Sequence, residues 1–351
     1  MTFSIEEQKQ YSRHLMLEEI AEEGQLKLKN ARVLVIGAGG LGCPVLQSIA
    51  AAGVGTIGII DDDKVEQSNL QRQWLFTYQD IGNYKVEVAA DRLRGLNPYI
   101  HFETYTERLT PLNAMALFTN YDIIVDGSDN FPTRYLVNDA AVLAGKPLVF
   151  ASIFKFEGQV AVFNYKNGPS YRCLFPTPPE AHTMPSCSEI GVFSVLPSLI
   201  GALQANEILK IICGIGDVLS GKLLTLNALS LEQCVFRFIK NEANSITELA
   251  KDYGEFCGLP TDLADISLEV LKETKDTYML LDVRTQEERD GFHIGGIHIP
   301  LDALSNRFKE IKTTKEIVVY CKSGLRSKKA IHLLQGLGIE NGLINLKGGC
   351  F

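Results

Sequence analysis

The stretch that decides the fold is VLVIGAGGLG at residues 33–42, which is followed by IDDDKVEQSNLQRQ at residues 60–73. Its apolar first half predicts a buried strand. The turn after it predicts the start of a helix whose free backbone N–H groups can bind phosphate, and it contains Gly37, Gly39 and Gly42. Asp61 ends a second predicted strand about 20 residues later, where a carboxylate can bind both ribose hydroxyls. The stretch therefore predicts a nucleotide-binding turn in an α/β fold.

Four polar residues after this turn favour ATP over NAD as the ligand: Asn69, Arg72, Gln73 and Lys85. An NAD-binding turn needs the glycines and the ribose-binding acid, but not these donors. A triphosphate carries more charge than a bridging pyrophosphate, so an enzyme that attacks its α-phosphorus needs several fixed donors. The chain has no Gly-x-x-x-x-Gly-Lys-Ser/Thr motif, which disfavours a P-loop enzyme. We predict an ATP site, and an NAD-dependent oxidoreductase is the alternative.

A further acidic residue lies in VDGSDN at residues 125–130. Asp129 comes directly after the predicted strand Ile123–Val125. Ligands of parallel sheets bind at the carboxyl ends of the strands, so its carboxylate is expected near the nucleotide. Asp129 is therefore a candidate Mg²⁺ ligand.

The wider pattern alternates apolar strands with helical stretches and predicts a doubly wound, Rossmann-like sheet. The strands are expected near residues 32–36, 57–61, 100–105, 122–126, 147–151 and 158–163, with helices at 41–52 and 84–95. Gly191–Cys213 is apolar with a helical period, so we expect a buried helix there, near a dimer contact. The pattern weakens in a predicted linker at 241–265. The domains are thus predicted at 1–240 and 266–351.

Composition excludes several classes of protein. The chain has 351 residues, 46% of them hydrophobic, which is enough for two cores. A net charge of −8 argues against a nucleic-acid partner. The N-terminal residues show no signal peptide, and no uninterrupted apolar run of about 18 residues suggests a membrane span. The eight scattered cysteines indicate reduced thiols. We expect a cytoplasmic protein.

The C-terminal part has its own reactive feature. A predicted strand, Ile317–Tyr320, runs into the sequence CKSGLRS at residues 321–327, and a helix is expected over Ser327–Leu337. A cysteine that faces loop amides and a helix N-terminus has a stabilised thiolate, and Lys322, Arg326, Lys328 and Lys329 add positive charge. Cys321 is therefore predicted to be a nucleophile, and a buried structural cysteine is the alternative.

The motifs of the first domain resemble the E1-like adenylyltransferases of the MoeB/ThiF/HesA type. The resemblance covers about Tyr11 to Leu231. It rests on GAGGLG at 37–42, the string from Asp61 to Gln73, the Gly-x-x-Lys that ends at Lys85, and Ser-Asp-Asn at 128–130. Members of this family adenylate the C-terminal Gly-Gly carboxylate of a small ubiquitin-like sulfur carrier. The resemblance therefore implies ATP and Mg²⁺ as cofactors and such a carrier as partner.

The same resemblance implies roles for single residues. Arg72 and Lys85 would be catalytic, and Asp129 would hold Mg²⁺. Arg13, in the sequence QYSRH, matches an arginine that reaches the ATP of the partner subunit, which implies a homodimer. The predicted ATP-binding residues are Arg13, Gly37, Gly39, Gly40, Gly42, Asp61, Asn69, Arg72, Gln73, Lys85 and Asp129.

Residues 266–350 resemble a rhodanese domain. The similar features are Asp282-Val-Arg284, the run FHIGGIHIP at 292–300, and the six-residue loop Cys321–Arg326. In rhodaneses the loop cysteine carries a persulfide that the loop amides hold. This sequence departs from the rhodanese pattern at GGCF, where rhodaneses usually continue to a tryptophan and a closing helix. Cys350 is expected to be a packing residue, and a second nucleophile is the alternative.

Two more cysteine positions follow from the first resemblance. Many relatives bind a structural Zn²⁺ with two Cys-x-x-Cys pairs. Here the first pair is Ser170 to Cys173, and 236–245 contains no cysteine, so we predict no zinc. Cys187 matches a crossover-loop cysteine that takes part in covalent chemistry in relatives, and an unreactive loop residue is the alternative.

These features predict a mechanism in two steps. A carrier carboxylate attacks ATP to form an acyl-adenylate, and a Cys321 persulfide then delivers sulfur, with Arg326 assisting at the loop and Cys187 as the second thiol. A cysteine desulfurase or another donor would supply the sulfur. The product would serve molybdopterin, thiamine or thiolated-tRNA synthesis. In an alternative, the rhodanese-like unit only docks partners.

Overall fold

The structure is a computed structural model that describes residues 3–179, 191–258, 263–322, 324–339 and 341–350. The chain forms two compact units, which divide after Tyr253. Each unit is built on its own sheet. The domain boundaries at 240 and 266 remain a prediction, but part of the predicted linker has regular structure, because the strand Ala264–Ile266 begins inside it.

The first sheet has eight strands in the order β3-β2-β1-β4-β5-β6-β7-β8. Strands β1 to β5 are parallel, whereas β6, β7 and β8 are antiparallel additions. The predicted α/β, doubly wound fold is confirmed. The strands are β1 Arg32–Ile36, β2 Thr56–Ile60, β3 His101–Tyr105, β4 Ile123–Asp126, β5 Leu148–Phe154, β6 Glu157–Phe163, β7 Lys222–Asn227 and β8 Gln233–Arg237.

Helices pack on this sheet and form the core of the first unit with it. They are Ile5–Gln10, Ser12–Leu15, Ala21–Asn30, Gly42–Ala52, Lys85–Leu96, Ala114–Phe118, Phe131–Leu143, Tyr171–Leu174 and Leu196–Cys213. The helix Gly42–Ala52 ends at Gly53, whose φ of 88° requires glycine. It is apolar because it packs between the sheet and Leu196–Cys213.

The helix Leu196–Cys213 is shorter than the predicted Gly191–Cys213. Pro197 lies in its first turn, where proline is tolerated because that N–H has no helical partner. By length and mean hydropathy, 1.2, it could cross a membrane, but half of it is buried in the domain. It packs against β5, β6 and Gly42–Ala52, as a core helix does.

The second unit has a five-stranded parallel sheet in the order β11-β10-β12-β13-β9. The strands are β9 Ala264–Ile266, β10 Met279–Asp282, β11 Ile297–His298, β12 Ile317–Tyr320 and β13 Leu343–Leu346. Its helices are Leu268–Glu273, Gln286–Gly291, Leu304–Arg307 and Leu325–Gly336, and Tyr253–Phe256 lies at the division between the units. The central strand β12 is buried on both faces, which explains its unbroken apolar sequence.

Candidate functional site

The nucleotide site lies where the order of the first sheet reverses. Strands β1 and β4 are neighbours, and the chain connects β1 toward β2 on one side and β4 toward β5 on the other. In a parallel sheet this arrangement opens a crevice at the carboxyl ends of the two central strands. The glycine turn follows β1, and the segment with Asp129 follows β4.

Three glycines of this crevice are required by close backbone contacts. Gly37 has a φ of 92°, and a Cβ on Gly42 would lie 2.0 Å from the Gly37 carbonyl oxygen. A Cβ on Gly127 would lie 2.9 Å from the Ile36 carbonyl oxygen. Gly39 and Gly40 lie near two of the predicted phosphate donors. A Cβ on Gly39 would lie 3.7 Å from Gln73 Nε2, and a Cβ on Gly40 would lie 3.4 Å from Pro197 Cβ and 3.9 Å from Arg72 Cδ.

Asp61 bonds directly to the turn. Its Oδ2 accepts a hydrogen bond of 2.7 Å from the Ala38 amide, and its Oδ1 accepts one of 2.8 Å from the Asp63 amide. Burial raises the pKa of Asp61, although the charge of Lys85 acts in the opposite direction. The remaining lone pairs of both oxygens are suited to hydroxyl donors such as those of a ribose.

Lys85 is a buried cation held by acidic residues. Its Nζ lies 2.7 Å from Asp63 Oδ2. Burial acts to lower the pKa of Lys85, but the charges of Asp61 and Asp63 outweigh it and leave that pKa raised. The lysine is therefore a fixed positive charge beside the turn. Sequence reasoning missed Asp63, although its position two residues after Asp61 is a local signal.

The segment between Asp61 and Lys85 contains three further predicted residues. Asn69 is buried, and its Oδ1 accepts a hydrogen bond of 3.0 Å from the Glu66 amide, so this oxygen stabilises a local turn. Arg72 Nη1 donates to the Ser68 carbonyl oxygen over 3.0 Å. Gln73 is buried, and its Oε1 has no hydrogen-bond partner in the described part of the chain. The Gln73 amide thus retains hydrogen-bonding capacity next to the turn.

At the end of β4, one acid is exposed and another is buried. Asp129 is exposed and accepts a 3.3 Å hydrogen bond from Asn130 Nδ2. Asp126 is buried, and its Oδ1 accepts bonds from Ser128 N at 2.9 Å and Ser128 Oγ at 2.6 Å. Burial raises the pKa of Asp126, which Arg134 opposes. Asp126 Oδ2 and Arg134 Nε are 3.9 Å apart, and neither has a hydrogen-bond partner among the described residues.

Sequence reasoning missed Asp126 and Arg134. Asp126 was included in the strand prediction, and only its burial distinguishes it from a surface acid. A separate acidic group, Asp61, Asp62 and Asp63, has carboxylate oxygens within 4.8 Å of one another, but exposed acidic groups are common without a metal. Asp129 is not part of that group.

Arg13 lies in the helix Ser12–Leu15 and is exposed. Its Nη1 is 3.7 Å from Met16 Sδ. The nucleotide that it is predicted to reach belongs to a second chain, so its role stays a prediction. Cys187 lies outside the described residues.

The predicted zinc-free region forms a hydrogen-bonded cluster. Cys173 Sγ lies 3.5 Å from Ser170 Oγ and accepts a 3.3 Å hydrogen bond from the Asn241 amide. Asn244 Nδ2 donates to the Arg172 carbonyl oxygen over 2.9 Å. A structural zinc site needs four nitrogen, sulfur or carboxylate ligands, and the side chains of Ser170, Cys173 and Asn244 contribute one thiol. The absence of zinc remains a prediction.

In the second unit, Cys321 lies at the carboxyl end of β12 and is buried. Its Sγ accepts hydrogen bonds from the Gly324 amide at 3.1 Å and the Ser327 amide at 3.3 Å. Ser323 of the same loop lies outside the described residues. Two amides that converge on one sulfur can stabilise negative charge on it, which suits a thiolate or a persulfide.

Ion pairs hold the segments around this loop. Arg326 forms a bidentate pair with Glu288, with both N···O distances 2.7 Å, and these hydrogen bonds lower the pKa of Glu288 to about 2. Arg284 forms a second, buried pair with Asp282 at 2.8 and 2.9 Å. The two charged residues of the Asp282-Val-Arg284 motif therefore bind each other. Arg326 is engaged by a carboxylate that sequence reasoning did not anticipate.

Cys350 is buried against the other face of the sheet. Burial raises the pKa of its thiol to about 11. Its backbone N–H donates to the Cys321 carbonyl oxygen over 2.9 Å. These features agree with the predicted packing role.

Comparison with known proteins finds a family match for each of the two units. The ThiF family matches residues 11–247, and the rhodanese-like domain matches residues 267–351. A probable adenylyltransferase/sulfurtransferase MoeZ of Mycobacterium tuberculosis is 43% identical over 99% of this chain and 92% of its own length. A sulfur carrier protein adenylyltransferase of Thermus thermophilus is 50% identical over 74% of this chain and 100% of its own length. The adenylyltransferase and sulfurtransferase MOCS3 of Sus scrofa is 42% identical over 93% of this chain and 80% of its own length.

Solved structures show the same fold for the larger part of the chain. The MccB protein of E. coli with AMPCPP and selenomethionine-labelled MccA has a TM-score of 0.61 and 25% identity, covering 68% of this chain and 74% of that one. MccB of E. coli with ATP has a TM-score of 0.58, with the same identity and coverage.

Proposed function

The chain belongs to the ThiF family and carries a C-terminal rhodanese-like domain, and from this we propose that it converts the C-terminal carboxylate of a small sulfur-carrier protein into a thiocarboxylate. It is an ATP-using adenylyltransferase with sulfurtransferase activity, as its relatives are. The family favours ATP over the NAD alternative. We propose domains at 1–240 and 266–351, joined by residues 241–265.

One observation carries the proposal: the same chain holds the buried Lys85 beside a glycine turn and, in its second unit, the Cys321 sulfur between two amides. The first arrangement suits the binding of an anionic phosphate chain. The second suits a sulfur atom that bears negative charge. Together they supply the activation and the sulfur donor for one product.

In the adenylation step, the carrier carboxylate attacks the α-phosphorus of ATP and pyrophosphate leaves. The free amides of the turn bind phosphate oxygens, and the oxygens of Asp61 accept the ribose hydroxyls. Arg72 and Lys85 offset the charge that develops on the phosphates. Asn69 and Gln73 complete the lining of the site.

Mg²⁺ fits the residues at the end of β4. Hard cations take oxygen ligands, and Asp129 offers an exposed carboxylate with one oxygen not engaged by Asn130. The bound ion would neutralise phosphate charge. The buried Asp126, bonded to Ser128, would hold the backbone that carries Asp129.

Asp129→Asn should raise the Mg²⁺ concentration needed for half-maximal ATP–pyrophosphate exchange, by about tenfold, because the amide is a neutral and weaker ligand. The measurement is a Mg²⁺ titration of the exchange rate. Asp122→Asn, at the opposite end of β4, changes charge equally and serves as the control. An Asp129→Asn titration identical to that of wild type would remove Asp129 from the metal site.

In the sulfur step, the terminal sulfur of a Cys321 persulfide attacks the carbonyl carbon of the acyl-adenylate, and AMP leaves. The product is an acyl disulfide between the carrier and Cys321. A second thiol, proposed as Cys187, attacks the Cys321 sulfur and releases the carrier thiocarboxylate. A Cys187–Cys321 disulfide remains, and an external dithiol reduces it. Arg326, paired with Glu288, holds the loop in place.

Three further elements complete the proposal. A cysteine desulfurase or a similar persulfide donor would load Cys321. The active form would be a homodimer in which Arg13 reaches the partner's ATP. The seven described cysteines are free thiols, which fits a reducing compartment such as the cytoplasm. The proposal includes no membrane or nucleic-acid partner.

The deciding experiment incubates the enzyme with ATP, a persulfide donor and candidate carriers, and records carrier masses. We expect one carrier to gain a mass equal to sulfur replacing oxygen, and only when ATP is present. A carrier that is adenylated but never gains sulfur would reduce the second unit to a docking module. Failure of every candidate carrier to form an adenylate or to support ATP–pyrophosphate exchange would refute the carrier as substrate.

A further inference from the structure

A buried chain of hydrogen bonds leads from Cys321 across the second sheet to its edge. Cys321 Sγ lies 3.4 Å from Ser327 Oγ, and Ser327 Oγ lies 2.6 Å from Asn345 Oδ1. Asn345 Nδ2 donates to Asp265 Oδ1 over 2.7 Å. Ser327 and Asn345 are 0% and 1% exposed. The side chains of Ser327, Asn345 and Asp265 have no role in the mechanism described so far.

The Ser327 hydroxyl has a single proton, and two oxygens compete for it. Asn345 Oδ1 is 2.6 Å away and the Gly324 carbonyl oxygen is 2.9 Å away. Both atoms are acceptors only, so the hydroxyl donates to one of them. The contact between Ser327 and Cys321 then requires the sulfur to be the donor.

Asp265 determines which end of the Asn345 amide faces Ser327. The residues are directly opposite each other in the parallel pair of β13 and β9. An ionised carboxylate only accepts hydrogen bonds, so Nδ2 must face Asp265 and Oδ1 must face Ser327. The reversed amide would bring two acceptor oxygens together.

We propose that Asn345, oriented by Asp265, is a positioning residue that keeps the Ser327 proton away from the Cys321 sulfur. When the sulfur becomes anionic, its proton leaves to solvent and the Ser327 hydroxyl turns from Asn345 to the sulfur. The anion then has three donors: this hydroxyl and the amides of Gly324 and Ser327. Asn345 thus opposes ionisation of the free thiol. The inference rests on the role proposed for Cys321.

Apart from Asp265 itself, the other charged and titratable groups around the loop would be the same in every variant compared. Lys322 is exposed, and Arg326 is paired with Glu288. On the other face of the sheet lie Cys350 and the Asp282–Arg284 pair. A change in Cys321 ionisation on replacing Asn345 would therefore come through Ser327.

The experiment alkylates the full chain with iodoacetamide at a series of pH values and follows the Cys321 peptide by mass spectrometry. Only the thiolate reacts, and the assay needs neither ATP nor carrier. In Asn345→Leu, the Ser327 proton is freer to bond the anion. We expect the profile to move to lower pH, with reaction about three- to tenfold faster below the wild-type midpoint, the factor of one hydrogen bond.

Two further comparisons separate this effect from disturbed packing. In a Ser327→Ala background, Asn345→Leu and Asp265→Ala should each leave the profile unchanged, because no hydroxyl proton remains to be released. Asp265→Ala, at an exposed position, should let the Asn345 amide reverse and should shift the profile in the same direction as Asn345→Leu. A shift that persists without the Ser327 hydroxyl, or no shift in Asp265→Ala, would overturn the proposal.

Discussion

Replacing Arg72 with alanine should lower the rate of ATP–pyrophosphate exchange by about two orders of magnitude or more. Arg72 Cδ would lie 3.9 Å from a Cβ on Gly40 of the glycine turn, and the Arg72 guanidinium donates to the Ser68 carbonyl oxygen. A charge held in place costs no reorganisation as the phosphates become more negative, so its loss acts mainly on the transition state. The measurement is exchange of labelled pyrophosphate into ATP.

Arg94→Ala provides the matched control, because it removes the same charge from an exposed pair with Asp91 in the same domain. Its exchange rate should stay near that of wild type. Equal rates for Arg72→Ala and Arg94→Ala would refute the assignment of Arg72.

The Arg72 variant also tests the proposed homodimer. Arg13→Ala and Arg72→Ala are each expected to be inactive, yet a mixture should regain activity after subunit exchange. Some mixed sites would then combine an intact Arg13 from one subunit with an intact Arg72 from the other. With exchange verified, a mixture that remains inactive would place Arg13 in its own subunit's site or outside both.

Replacing Cys321 with serine should abolish formation of carrier thiocarboxylate and leave ATP–pyrophosphate exchange within about twofold of wild type. A serine hydroxyl cannot carry a persulfide. The amides of Gly324 and Ser327, which donate to Cys321 Sγ, remain in the variant and can donate to the serine oxygen, so the loop should keep its shape. Adenylation uses residues of the first unit only. Carrier masses and exchange rates, measured on the same preparation, report the two steps separately.

Cys234→Ser is the control, since Cys234 is an exposed free thiol on β8. It should retain both activities. If Cys321→Ser still produced thiocarboxylate at an undiminished rate, sulfur would reach the acyl-adenylate through Cys187 or directly from the donor. The rhodanese-like unit would then be a docking module.

Much of the first site could be predicted because its signals are local. The strand Arg32–Ile36, the glycine turn and Asp61 follow one another within about 30 residues of a βαβ unit, a pattern with direct geometric meaning. The structure brings Asp61, Lys85, Arg72 and Gln73 to that turn. The sequence does not show that Asn69 Oδ1 accepts a hydrogen bond from the Glu66 amide, because a side-chain amide can bond to several nearby backbone groups.

The residues that were missed depend on contacts between distant segments. Asp126 and Arg134 look like ordinary polar residues until the sheet and the helix Phe131–Leu143 bury the carboxylate between them. Glu288 engages Arg326 across 38 residues of sequence. The start of the helix Leu196–Cys213 was predicted too early, since an apolar sequence has no sharp boundary and Pro197 suits a first turn.

The sequence by itself determined the two-unit α/β organisation, the glycine turn after β1 and the place of Cys321 at the end of a buried strand, because each follows from local periodicity and from glycines that only one backbone geometry explains. Tertiary structure decided how those groups are controlled. Lys85 is fixed by Asp63, and the proton of Ser327 is directed by Asn345 and Asp265. Asp265 lies 80 residues from Asn345 along the chain and meets it only because β9 pairs with β13. Such pairing depends on the packing of the whole sheet, which no short stretch of sequence encodes.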